Sequence, residues 1–184
     1  MRVHVLHLSV GGERYAIPTA HVVEVVPAVP LRALPGAPPE VAGLLAYRGR
    51  ILPVVDLARR LGRPPAPQAL STRIVVCARA LDTRHTGPAG VGGRDDRPLL
   101  GVLAADVTRV GELDPDAEGS HAGVRSEGLR AVGRVTFDEG GLVQLVSIEG
   151  LLGAELLSRL DGACAELVEA PTAPAPRTSA KDRA

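Results

Sequence analysis

Aromatic side chains are almost missing from this chain of 184 residues, which holds two Tyr, one Phe and no Trp. A core must therefore be built from Val, Leu, Ile and Ala, and there is little material for the aromatic platforms on which nucleic-acid bases stack. Charge of one sign is missing too: 21 basic residues face 21 acidic ones, so the electrostatic footprint of a nucleic-acid binder is absent. Cysteine is scarce. Cys77 and Cys164 lie far apart and outside any paired spacing, which excludes a disulfide framework and fits a reducing cytoplasm. No apolar run approaches the roughly 18 residues that a membrane span needs, and no polybasic cluster would hold a membrane surface. The opening MRVHVLHLSV is broken by His4, His7 and Ser9 and lacks a small-residue cleavage site. It reads as a strand, not a signal peptide.

What the chain does have is short apolar runs, punctuated by 21 Gly and 16 Pro. Such punctuation is that of a β-rich protein. Strands are expected at residues 3–10, 14–17, 22–26, 43–47, 51–55, 73–78, 99–104, 107–111, 131–137 and 142–147. Short strands without long helical spacers predict an all-β fold of barrels, not a parallel sheet. One globular unit is expected over 1–151. Within it, residues 79–98 are polar and Gly-rich, far more than a hairpin needs, and read as a mobile insert. Leu152, Leu156, Leu160 and Leu167 then fall on one stripe, predicting an amphipathic helix over 152–169. The Pro/Ala-rich remainder, 170–184, is expected to be disordered.

The most informative segment is AYRGRILPVVDL, Ala46 to Leu57. Gly49 can take positive φ at no steric cost, and Ile51 to Val55 is apolar enough for a strand buried on both sides. Pro53 has no N–H, which places that strand at an edge or a bulge. Asp56 stands where a carboxylate can cap a short helix, Leu57 to Leu61. Arg48 is then a cation set beside a tight turn, the kind of residue that serves as an interface hot spot.

Constellations for catalysis or metal binding fail one by one. His4 and His7 are an odd number apart on a strand and so face opposite sides. Gly119-Ser120-His121 lacks the strand-turn-helix context that activates a serine. Gly90, Gly92 and Gly93 are followed by no Lys-Ser/Thr. Asp114-Pro115-Asp116-Ala117-Glu118-Gly119 matches the first half of a calcium loop, but its twelfth position is Arg125, not Glu. Asp95 and Asp96 sit in the insert, where nothing would hold them for acid–base work. No catalytic residue, metal site or cofactor is expected.

Ala46 to Leu57 resembles the LRGxxxPVxDL signature of the CheW-like domain, the coupling module of bacterial chemosensory arrays. Gly11 to Pro27 (GGERYAIPTAHVVEVVP) is similar to that family's first hairpin. Leu70 to Val76, Leu99 to Val107 and Leu142 to Leu152 look like its later strands. Two positions depart: Ala46 replaces the usual Asn, and Tyr47 stands where Leu is commoner. The resemblance implies two intergrown five-stranded SH3-like β-barrels with a groove where they meet, followed by a short C-terminal helix. It further implies a non-enzymatic, cytoplasmic adaptor, associated with receptor arrays at the inner membrane. This adaptor would join the cytoplasmic tip of a chemoreceptor to the regulatory domain of a CheA-type histidine kinase. Partner-facing positions carried over are Val22, Glu24, Arg48, Ile74 and Gly101, while Gly43, Gly49, Pro53 and Asp56 belong to the structural motif. Tyr47, the long insert and the extended helix suggest a chemosensory pathway with a non-flagellar output. The alternative is a small-molecule-sensing barrel, with an anionic ligand held by Arg48 in the interbarrel groove.

Overall fold

The run Ile74–Ala78 is apolar at every position, and the reason is that both of its faces are buried. A computed structural model describes residues 2–79, 97–116 and 132–169. The strands there are β1 (Val3–Val10), β2 (Glu13–Pro18), β3 (Val22–Pro27), β4 (Val41–Tyr47), β5 (Arg50–Asp56), β6 (Arg73–Ala78), β7 (Leu99–Leu113), β8 (Val132–Asp138) and β9 (Gly141–Val146). Two helices accompany them, α1 (Leu57–Arg60) after β5 and α2 (Ala154–Glu169) after β9.

These strands make two five-stranded sheets that share β7. One runs β7-β1-β2-β9-β8 and takes the C-terminal part of β7; the other runs β3-β6-β7-β5-β4 and takes its N-terminal part. The strands expected at 99–104 and 107–111 are thus one continuous element. Its crease lies at Asp106, which adopts φ +47, and there the pairing with β1 slips between His7↔Arg109 and Ser9↔Ala105. A bulge of this kind bends a strand and re-aims it, which is how one strand serves two sheets.

Side-chain alternation sorts the core into three clusters. On β6, Val75 and Cys77 point into a large cluster shared by both sheets, while Ile74, Val76 and Ala78 point into a second cluster inside their own sheet. On β1, Leu6, Leu8 and Val10 join the shared cluster, while Val5 packs with Ala16, Leu113 and Val143 inside the other sheet. Each sheet curls round its own small cluster, and the two are welded by the large one. The fold is all-β, two intergrown five-stranded SH3-like barrels. Helix α2 lays Leu156, Leu157 and Leu160 onto the shared cluster. Its base is fastened by Arg60, whose Nε donates to the Leu151 carbonyl at 2.5 Å.

The expected 79–98 insert falls on 80–96, outside the described residues, as does the 170–184 tail. At the insert's base the Arg79 N–H donates to the Pro98 carbonyl at 2.9 Å.

Candidate partner-binding site

Two residues link β4 to β5, Arg48 with φ +47 and Gly49 with φ +76. Positive φ at both central positions is the type I′ turn whose twist suits a two-residue hairpin. Glycine fits its place, but an L-arginine in the left-handed region costs about 1–2 kcal/mol. A tight turn would accept Asn or Gly at position 48 more readily, so the side chain is what the position supplies.

That side chain reaches across to β3. Arg48 Nη2 lies 2.8 Å from Glu24 Oε2, and the Tyr47 hydroxyl donates to the same oxygen at 2.5 Å. The guanidinium also sits over the Tyr47 ring, 5.4 Å from its centroid, within range for a cation–π attraction. β3 and β4 are the two ends of the second sheet's strand order, so this trio joins the curled sheet's two edges through side chains. Glu24 is half-buried and the Arg48 side chain is 67% exposed. The surface therefore offers a fixed carboxylate beside a guanidinium with most of its area open.

Asp56 holds the motif's other end. Its φ of −78 and ψ of 108 are those of an N-cap, and its carboxylate accepts from Ala58 N at 2.9 Å, Arg59 N at 3.2 Å and Ala66 N at 3.0 Å. The capped helix is one residue shorter than expected, with Leu61 as its C-cap. Gly43 sits where the β4–β5 register shifts, at φ +146, and a Cβ there would stand 2.7 Å from the Arg32 carbonyl oxygen. The close approach lets Arg32 and Leu44 exchange two backbone hydrogen bonds, at 2.8 and 3.0 Å.

Two expectations are corrected and a third is narrowed. Of the two places expected for Pro53, an edge or a bulge, the edge is excluded, because β5 lies between β4 and β7, while the β4–β5 register does shift beside it, between Val41↔Val55 and Gly43↔Val54. Pairs alternate away from the turn, Tyr47↔Arg50 being hydrogen-bonded, so Leu44↔Pro53 is a pair that needs no N–H toward β4, and the parallel pairing with β7 begins at Val54. Ile74 is 0% exposed in the second cluster, and Gly101 is buried beside it, so neither presents atoms to a partner. Gly101 lies two strands across from Glu24, since Glu24 pairs with Val76 and Val76 with Gly101, while Ile74 pairs with Val26. Val22 is half-buried and packs toward the shared cluster. Glu24 and Arg48 are brought together; Tyr47 completes the pair and was legible only as an unusual neighbour of Arg48.

Outside this site, one polar group stands out. The Arg14 guanidinium donates two hydrogen bonds of 2.5 Å to Asp138, and Arg109 lies 3.7 Å from the same carboxylate. Arg14 holds the Asp138 carboxyl below the usual range, while burial and then Arg109 lower the pKa of nearby His7. His4, in contrast, is exposed beside Glu112. Among the described residues no three His, Cys, Asp or Glu side chains gather as metal ligands would. Gly90 to Gly93, Asp95, Asp96 and Gly119 to His121 lie outside the described residues. No helix among the described residues is long and apolar enough to cross a membrane.

Two curled sheets sharing a strand, with a polar trio at the seam of one of them, define an all-β double-barrel domain. The chain belongs to the CheW-like domain family, whose model matches residues 4–156. It is similar to Protein FrzA of Myxococcus xanthus, 39% identical over 67 residues, covering 36% of this chain and 42% of that one. It is also similar to a probable chemotaxis protein CheW of Rhizobium etli, 33% identical over 67 residues, covering 36% and 43%. These matches span less than half the length of either curated relative. Among solved structures it resembles the scaffolding protein TtCheW from Thermoanaerobacter tengcongensis, with a TM-score of 0.65 and 19% identity over 84% of this chain and 90% of that one. At that identity the likeness establishes the fold alone.

Proposed function

We propose that this protein is a non-enzymatic adaptor that couples a chemoreceptor's cytoplasmic tip to the regulatory domain of a CheA-type histidine kinase. The observation that carries this reading is Arg48: a strained, left-handed arginine, ion-paired to Glu24 yet two-thirds exposed. Backbone strain retained on an exposed turn points to the side chain's use there. An arginine with open donors beside a fixed carboxylate suits recognition of a charged protein surface. Its family membership supports the same reading. An adaptor needs no turnover; by holding two partners at once it raises their effective concentration, and a small movement in one then biases the other. A non-flagellar output rests on this chain's own departures, Tyr47 and the long 79–98 segment.

The test is capture of a receptor cytoplasmic fragment and of the kinase regulatory domain from the same genome, by wild type, Arg48→Glu and Glu24→Lys. Wild type captures both. Charge reversal at Arg48 abolishes capture of one of them while far-UV circular dichroism is unchanged, since a reversed charge at a contact costs several kcal/mol. Failure of well-folded wild type to capture either partner refutes the adaptor reading.

A further inference from the structure

Glu24 Oε2 is doubly engaged, by the Tyr47 hydroxyl at 2.5 Å and by Arg48 Nη2 at 2.8 Å. Among the described residues both contacts fall on this one oxygen, so Oε1 and the remaining guanidinium donors stay open to a partner. An exposed arginine on a turn and a glutamate on a strand edge are each rotamer-rich, and docking would have to freeze both. Here they are frozen beforehand. Tyr47 does it from two directions, with its hydroxyl on the carboxylate and its ring under the guanidinium at 5.4 Å.

We propose that Tyr47 is a positioning residue that sets partner affinity, by locking Glu24 and Arg48 into one preformed donor–acceptor pair at the seam between β3 and β4. This inference rests on the adaptor reading. A phenol at position 47 does what an aliphatic residue cannot: a leucine there would leave Glu24 with one donor and Arg48 with no ring face. Losing the hydroxyl leaves the ring in place and frees the glutamate to swing, so the expected change is in affinity and not in fold. The ring alone keeps part of the effect, which ranks Tyr47→Phe between wild type and Tyr47→Leu.

Calorimetric titration of the full chain with the receptor cytoplasmic fragment and with the kinase regulatory domain tests this, using wild type, Tyr47→Phe, Tyr47→Leu, Arg48→Ala and the Tyr47→Phe/Arg48→Ala double variant. For the partner that needs Arg48, Tyr47→Phe raises Kd about three- to ten-fold with a melting temperature close to wild type, Tyr47→Leu raises it further, and Tyr47→Phe adds little once Arg48 is alanine. Wild-type affinity in Tyr47→Phe, or an equal penalty with and without Arg48, overturns the proposal. A partner-free reading keeps the two hypotheses apart: the Arg48 Nε–H resonance in a ¹⁵N spectrum stands clear of the bulk arginine signals in wild type and moves toward them in Tyr47→Phe. If no partner binds wild type, the adaptor reading fails and this resonance alone decides for or against Tyr47.

Discussion

Gly101→Ala separates a buried spacer from a contact residue. A Cβ at position 101 would stand 2.8 Å from Val54 Cγ2, 3.1 Å from Ile74 Cγ2 and 3.2 Å from Leu52 Cδ1. Val54 and Ile74 are 0% exposed, and both are β-branched with stiff χ1, so the neighbours yield only by straining their rotamers or shifting β5. Overpacking of this size costs about 1–3 kcal/mol, and the lower backbone entropy of unfolded alanine returns about 0.4–1 kcal/mol. The net expectation is a destabilisation of about 1–2 kcal/mol, or a melting temperature lower by roughly 3–6 °C. The chain has no Trp, so far-UV circular dichroism in a denaturant titration is the natural assay. Val54→Ala alone opens a cavity and costs about 2 kcal/mol. Combined with Gly101→Ala it removes the clashing methyl, and the double variant is more stable than the sum of the two losses by about 1 kcal/mol. A Gly101→Ala protein as stable as wild type, or a strictly additive double variant, refutes the close-packing argument. Weaker partner binding in a Gly101→Ala protein of full stability would return Gly101 to the contact surface.

Truncation after Leu151 removes Leu152 and Leu160, each at least nine-tenths buried, at about 1.5–3 kcal/mol apiece. The melting transition falls by 10 °C or so or is lost; an unchanged transition would mean that α2 contributes nothing to the fold. Burial pushes the Cys77 thiol up to about 12 and also raises that of Cys164, so native protein at pH 8 resists alkylation while denatured protein takes two labels by mass. Rapid native labelling of Cys77 would show that β6 is not held in the core. Asp138, held low by Arg14, stabilises the fold fully above its ordinary value of 3.8, and that contribution is lost as pH falls through the lower folded value. Arg14→Gln therefore costs about 1–2 kcal/mol at pH 7, and the gap to wild type narrows below about pH 4; a gap independent of pH would remove the Asp138 pairing as its cause.

What the sequence made legible is what depends on neighbours along the chain. The short apolar-rich stretches at Val3–Val10 and Ile74–Ala78 were legible as strands, because runs of that length bounded by turn residues need no knowledge of the partner strand. Asp56 was readable as a cap for the same local reason. The crease in β7 was not, since Asp106 with positive φ looks in sequence like a turn between two strands, and only the pairing of β1 on one half and β6 on the other shows a single strand bent by a bulge. Pro53 left an edge and a bulge both open: a missing N–H excludes one side of a strand, and which side depends on a register counted from the turn at Arg48. The site shows the limit most clearly. Glu24 and Arg48 could be named singly, but Tyr47 lies 23 residues beyond Glu24, on the opposite end of a sheet whose order is β3-β6-β7-β5-β4. Only curling of that sheet brings its ends within hydrogen-bond reach. The trio is thus a product of closure. The same carboxylate oxygen that meets the Tyr47 hydroxyl and Arg48 therefore ties β3 to the β4–β5 turn, a link that no backbone pairing between β3 and β4 supplies among the described residues.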